Sequence, residues 1–300
     1  MPTRCQRAWT PTSSSADACD DRSVLPDVLV RPADLLPQLG DPRLVLLDVR
    51  WRLDVPDGRP AYREAHLPGA VYVDLEHELA GPTSAGSGRH PLPSCAALEA
   101  AARRWGIRQD SVVVAYDDLG GMSAARAWWL LRDAGIDEVR VLDGGLAAWR
   151  RAGLPVESGD AIPDPGDVAL TPGRLPVIDA DGAAGFEGSL LDARAGERYR
   201  GEVEPIDPRA GHIPGAISAP TAGNLDGEGR FLPPEALRRR FTSLGVDLDR
   251  PVAAYCGSGI TASHELLALA VAGVDGALYP GSWSAWSSDP TRPAAVGPTP

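Results

Sequence analysis

The sequence predicts an α/β protein in which one unit, a parallel sheet flanked by helices, occurs twice in tandem. Three observations predict it: a self-repeat, an alternation of short apolar runs with helical patterns, and a proline-rich stretch between the copies. Leu46-Leu47-Asp48-Val49-Arg50 returns 144 residues later as Leu190-Leu191-Asp192-Ala193-Arg194, and His66-Leu67-Pro68-Gly69-Ala70 returns after 146 as His212-Ile213-Pro214-Gly215-Ala216. Val112-Val113-Val114-Ala115-Tyr116 is echoed by Pro251-Val252-Ala253-Ala254-Tyr255, and Leu142-Asp143-Gly144-Gly145 by Leu278-Tyr279-Pro280-Gly281, each followed by a tryptophan, Trp149 and Trp286. Order and spacing both persist, so the chain is a duplication of a unit of roughly 130 residues.

In chain order, residues 1–24 carry Arg4, Arg7, Asp17, Asp20 and Asp21 among Thr, Ser and Pro without an apolar stretch, which reads as a flexible tail and not a signal peptide. The first unit, 25–154, has β-branched or leucine runs at 44–47, 112–116 and 139–142 and a helical pattern at 124–134. Strands apolar on both faces and alternating with helices belong in a parallel sheet covered on both sides. Residues 155–176 hold five prolines with Gly and Asp and no periodicity, hence a surface linker. The second unit, 177–290, repeats the plan with strands at 189–191, 252–255 and 277–279 and a helix at 261–271; 291–300 form a second tail.

Length agrees with two domains, since 300 residues at about 100 to 200 per domain leave each copy its own core. Hydrophobic content of 43% and charged content of 23% exclude a disordered, collagenous or membrane-embedded chain, and a soluble folded protein is expected. The longest apolar run, 266–272, is far below the roughly 18 residues of a spanning helix. A net charge of −12 repels phosphate backbones and anionic lipid, so nucleic acid and membranes are not expected partners. All 29 basic residues are arginine, which removes Schiff-base chemistry and the lysine of a phosphate-binding loop. Cysteines at 5, 19, 95 and 256 form no C-x-x-C pair, so neither a disulfide framework nor a thiolate metal site is indicated, no metal or cofactor is expected, and a reducing, cytoplasmic compartment fits.

Open α/β sheets bind ligands at the carboxyl ends of their strands. The loop leaving strand 252–255 reads Cys256-Gly257-Ser258-Gly259-Ile260-Thr261-Ala262 and runs directly into a helix. Gly257 and Gly259 permit backbone conformations that turn amides towards the sulfur, and the helix N-terminus adds its positive end, so a nucleophilic thiolate is expected. Other readings compete. A buried structural cysteine would not need glycines at both turn positions. A dinucleotide fingerprint, Gly257-x-Gly259-x-x-Ala262, lacks the chain length for further βαβ units, and Asp275 precedes its strand. A Cys-x5-Arg phosphatase fails on Ala262. His264, eight residues on along the same helix, is a poor base for a Cys/His pair. His66 and His212 recur in both halves, which suits a turn, whereas His90 in Gly88-Arg89-His90-Pro91 suits a turn or chemistry, and the pattern favours neither. At the place of Cys256 the first unit has Asp117 and Asp118, whose charges would repel an anionic substrate, so that half is chemically silent and supports the other.

Residues 25–290 resemble the tandem-domain sulfurtransferases of the rhodanese family through the paired Asp-x-Arg and His-x-Pro-Gly-Ala segments, the single Cys-Gly-Ser-Gly-Ile-Thr loop and Gly281-Ser282-Trp283-Ser284-x-Trp286. The resemblance implies a parallel five-stranded α/β domain used twice and Cys256 as the residue that carries sulfane sulfur as a persulfide. Its Gly-Ser-Gly loop is similar to that of members using 3-mercaptopyruvate, whereas members using thiosulfate carry basic residues there. It implies Arg194 and Arg198 as the carboxylate anchors, Gly257, Gly259, Ile260 and Thr261 as substrate-facing loop positions, and Ser258 as a catalytic hydroxyl. His66 and Asp57 are the candidates for a proton relay from the silent half. Arg200 reads as solvated and Cys95 as a surface thiol. The expected donor is 3-mercaptopyruvate or thiosulfate, and the expected acceptor is cyanide or a thiol, including a reduced thioredoxin. A persulfide carrier without turnover is the alternative from another class.

Overall fold

The computed structural model describes residues 28–300, so the expected tail at 1–24 lies outside the described residues. Five strands make the first sheet: β1 Leu29–Val30, β2 Leu44–Asp48, β3 Val71–Tyr72, β4 Val112–Tyr116 and β5 Val139–Leu142. All are parallel in the order β1-β5-β4-β2-β3. The second sheet contains β6 Ser189–Asp192, β7 Ile217–Ser218, β8 Val252–Tyr255 and β9 Gly276–Leu278, parallel in the order β7-β6-β8-β9. Runs of valine, leucine and alanine buried on both faces fit strands roofed by helices on both sides.

One expectation fails in the second copy, which has four strands where five are implied. The counterpart of β1 shrinks to a single parallel bridge, Val177 to Leu278. Pro176 offers no N–H and only accepts from Leu278, while Asp179 caps the helix Ala180–Ala184 and turns the chain away two residues later. Residues 155–176 form no helix or named strand; Val168 and Leu170 are buried and tie this linker to the first domain through Arg103 and Glu99.

The repeated motifs hold each unit together from inside. In β2 and β6 the terminal aspartate faces the last tyrosine of the neighbouring strand, Asp48 opposite Tyr116 and Asp192 opposite Tyr255. Those tyrosine hydroxyls accept the backbone N–H of Leu67 and Ile213, which pins the His-x-Pro-Gly turn at the same corner in both halves. The two domains meet along the helices Ala124–Asp133 and Ile260–Val271, whose facing alanines and leucines join one apolar layer continuous between the sheets. This seam brings the first domain's segment around residue 90 to the carboxyl edge of β8. Among the described residues no helix is long and apolar enough to cross a membrane.

Candidate active site

Cys256 is the first residue after β8, 2% exposed, in the loop that leads into the helix Ile260–Val271. The loop carbonyls are held on its outer side: Trp283 N–H donates to Cys256 O and Ser284 N–H to Gly257 O, both at 2.9 Å. A trans peptide turns its N–H the opposite way from its carbonyl, so the Gly257 and Ser258 amides point away from Trp283 and Ser284. Gly259 N–H reaches Sγ at 3.1 Å, and among the described residues it is the one loop amide in hydrogen-bond geometry with the sulfur. Gly259 has φ +84°, and a Cβ there would lie 2.7 Å from Pro280 O, so the turn requires glycine. Ser282, at φ +53°, accepts the Cys256 N–H through its hydroxyl and donates to Tyr279 O, which anchors the strand end.

The first domain shows what such a loop does with an anion. Asp117, in the place of Cys256, accepts four backbone N–H groups, from Leu119, Gly121 and Ser123 at 2.8 Å and from Ala124 at 3.0 Å. Burial pushes its carboxyl up while the four donors pull it down. The amide cradle is filled by the chain's own carboxylate and has no room for a substrate. Asp118 pairs instead with Arg52 at the surface.

Next to Cys256, Ser258 meets a histidine that sequence reasoning left undecided. His90 Nδ1 lies 2.8 Å from Ser258 Oγ, and its Nε2 lies 3.3 Å from Glu76 Oε1. A carboxylate only accepts, so Nε2 carries the proton and Nδ1 is left to accept from the Ser258 hydroxyl. Trp51 orients both partners: its indole N–H donates to the same Glu76 oxygen at 2.8 Å and its ring stands edge-on to His90. Burial lowers the His90 pKa, against the opposing pull of Glu76, and keeps the imidazole neutral at pH 7.

Arg126, also from the first domain, is fully buried and reaches the loop from behind. Its guanidinium donates to Gly259 O at 3.2 Å, His90 O at 3.1 Å, Pro91 O at 3.4 Å and Leu79 O at 3.3 Å. One side chain thus fastens the thiol loop and the His90 backbone to each other across the seam. Burial lowers its pKa to about 10, which leaves it charged at neutral pH.

Several expected site residues stand elsewhere. Arg194 does not present a free guanidinium: it donates to both Asp192 oxygens, to Gly211 O at 2.6 Å and to Glu204 at 3.3 Å, and its side chain is 2% exposed. Arg50 in the silent half does the same with Asp48 and the carbonyls of Ala61 and Ala65. Recurrence without a substrate marks a structural pair. Breaking a buried pair leaves a stranded charge, at a cost of roughly 3–5 kcal/mol. Arg194→Met and Arg50→Met are therefore expected to lower thermal stability alike; a rise in KM without loss of stability for Arg194→Met would restore it to the substrate.

His66 is likewise a turn residue, for its Nδ1–H donates to Tyr62 O at 2.9 Å and its ring stacks on Tyr62, as His212 does on Tyr199. Asp57 accepts the Arg59 N–H on an exposed loop before the helix Arg59–Glu64. Neither meets Ser258. Ile260 is buried in the apolar layer between the domains and serves packing, and Thr261 is half-buried in the first helical turn. His264 is held between Thr221 Oγ1 and Gly120 O, and burial lowers its pKa to about 4. Arg198 does stand at the loop, 18% exposed, paired with Glu204 and Asp207. Arg200 pairs with Glu202 in solvent.

A signal for His90 was available in the repeat. Gly88-Arg89-His90 is echoed by Gly229-Arg230-Phe231, which packs against the silent loop through Gly120 and Gly121. Phenylalanine stands where the active half of the seam has its imidazole.

A family model for the rhodanese-like domain matches residues 31–152 and again 178–289. A Mycobacterium tuberculosis protein bearing the provisional name thiosulfate sulfurtransferase SseB is 52% identical over 277 residues, spanning 90% of this chain and 97% of that one. A Pseudomonas aeruginosa protein, provisionally a 3-mercaptopyruvate sulfurtransferase, is 51% identical over 279 residues, spanning 90% and 98%. The crystal structure of SseA from Escherichia coli, described as a 3-mercaptopyruvate sulfotransferase, superposes with a TM-score of 0.77 at 33% identity and covers 86% of this chain and 99% of that one.

Proposed function

Because the chain belongs to the rhodanese family, as a tandem-domain sulfurtransferase, we propose that it takes sulfur from 3-mercaptopyruvate and carries it as a Cys256 persulfide to a second nucleophile. In this reading the Cys256 thiolate attacks the donor sulfur and an S–S bond forms. The carbon–sulfur bond breaks, and its electron pair leaves on pyruvate as the enolate. The enolate needs one proton on carbon and the donor brings one on its thiol, so the step balances when a proton passes from sulfur to carbon. Ser258, with neutral His90 and Glu76 behind it, is the relay able to accept and return it. Thiosulfate brings no such proton and leaves as sulfite. The observation that carries the reading is therefore the 2.8 Å contact between His90 Nδ1 and Ser258 Oγ.

Cyanide, a small thiol or a reduced thioredoxin then removes the outer sulfur, which makes the kinetics ping-pong. A reducing cytoplasm suits both the free thiols Cys95 and Cys256 and such an acceptor. Since the two bacterial relatives carry names for different donors, the test is donor-resolved kcat/KM together with the intact mass of the protein after exposure to each donor. Gain of one sulfur atom and a higher kcat/KM with 3-mercaptopyruvate are expected; preference for thiosulfate overturns the donor assignment. The reading also fixes the pH dependence. His90 must be neutral to accept from Ser258, and its pKa is lowered by burial. As pH falls through its lowered pKa His90 protonates, so kcat/KM for mercaptopyruvate is expected to decline only at pH below that at which an ordinary histidine would titrate. The His90 part of the acid limb, seen with mercaptopyruvate and not with thiosulfate, should vanish in His90→Gln.

A further inference from the structure

With Arg194 committed to Asp192, the carboxylate of the donor needs another cation beside Arg198. Arg89, from the segment of the silent half that carries His90, stands at the mouth of the cysteine loop. It is placed there by the seam: Gly88 has φ +78°, a Cβ on it would lie 2.5 Å from Gly281 O, and the Arg89 N–H donates to Ser284 Oγ. Its guanidinium and that of Arg198 are arranged alike. Arg89 turns Nη1 and Arg198 turns Nη2 onto the two oxygens of Asp207. Their other nitrogens, Arg89 Nη2 and Arg198 Nη1, converge on the open face of Gly257, 3.0 and 3.5 Å from where a Cβ would stand. Arg89 Nε is buried there without a hydrogen-bond partner among the described residues. Asp207 is 2% exposed through its side chain, and its backbone N–H donates to Glu204, the carboxylate that also holds Arg198 and Arg194.

We propose that Arg89 and Arg198 together clamp the donor's anionic group over Gly257, one arginine from each domain, and that Asp207 is the internal counter-ion that sets their geometry and tunes the clamp to a singly charged donor. The proposal rests on the sulfur-transfer reading of Cys256. Two converging guanidiniums match the planar fork of a carboxylate, and each charge-assisted bond is among the strong ones available to a small ligand. Asp207 behind the pair, with Glu204 behind Arg198, cancels part of their field. The attraction of the arginines and the repulsion from Asp207 both scale with ligand charge, so loss of the Asp207 charge favours a dianion such as thiosulfate about twice as much as a monocarboxylate. A Cβ at Gly257 would stand at the point of convergence and push the two nitrogens apart. Burial pushes the Asp207 carboxyl up against the pull of Arg89 and Arg198, as expected of a counter-ion kept under tension within a half-dry site.

The test separates binding from turnover. In the full chain, pyruvate and sulfate are titrated as protectants of Cys256 against iodoacetamide, and KM and kcat are measured for both donors. In Arg89→Gln, half-protection by pyruvate is expected at about tenfold higher concentration and KM for mercaptopyruvate should rise similarly, with kcat within about threefold. In Asp207→Asn, half-protection by sulfate should fall severalfold and by pyruvate less, with kcat/KM moving towards thiosulfate. Should Arg89→Gln fail to fold, Gly257→Ala carries the same expectation, since its methyl displaces the converging nitrogens. Unchanged protection by pyruvate in Arg89→Gln, or in Gly257→Ala where that variant replaces it, overturns the clamp, as does an unchanged sulfate-to-pyruvate ratio in Asp207→Asn. Because protection needs no sulfur transfer, altered protection in a protein that prefers thiosulfate would sink the donor assignment and leave the clamp standing.

Discussion

Cys256→Ser is expected to reduce sulfur transfer by at least about 10⁴-fold with either donor, while leaving the fold intact. A hydroxyl fits the space of a thiol and can still accept the Gly259 N–H, so packing around β8 changes little. The alcohol, however, is not ionised near neutral pH and forms no stable bond to sulfane sulfur, so the first half-reaction has no carrier. Mass spectrometry of the exposed variant should show no added sulfur, with Cys95 as the internal control, since it stands half-buried with burial raising its pKa. Residual transfer within tenfold of the parent would remove Cys256 from the chemistry.

His90→Gln is expected to lower kcat with 3-mercaptopyruvate by about 10²–10³-fold and with thiosulfate by less than tenfold. Glutamine keeps a donor for Glu76 and an acceptor for Ser258, which preserves the seam, but it cannot take up a proton. Only the donor whose thiol proton must reach carbon should register the loss. Equal losses with both donors would mean that His90 acts by holding Ser258 and the loop in place and not by moving a proton. Glu76→Gln should show the same selectivity more weakly, because it leaves the imidazole in place and weakens only the bond that fixes its tautomer.

Both results bear on why a domain with no cysteine in its loop is kept. Its own loop is closed by the Asp117 carboxylate, yet it supplies Glu76, Arg89, His90 and Arg126 to the loop of its twin. The seam between the helices Ala124–Asp133 and Ile260–Val271 is thus both the apolar core of the assembly and the frame that aligns the reacting groups.

The sequence by itself determined the duplication, the parallel sheets, most strand and helix positions, and the cysteine loop with its glycines. These are local matters: β-branched runs, a strand-to-helix turn and a left-handed glycine are decided within a few residues. The same locality explains where residue reasoning went astray. Arg194 and His66 belong to motifs that recur in both halves, and recurrence records contacts closed within one unit, such as Asp192 to Arg194 two residues apart or Tyr62 to His66 four apart. Tertiary structure alone decided the partner of Ser258, because Ser258 and His90 lie 168 positions apart and meet only when the two domains pack. It also reduced the fifth strand of the second sheet to one bridge, since Pro176 and the cap at Asp179 leave too few backbone donors to extend it. Chemistry here sits where the two copies differ, and a side chain's role across a domain seam depends on how apolar helix faces dock, which no short stretch of chain encodes.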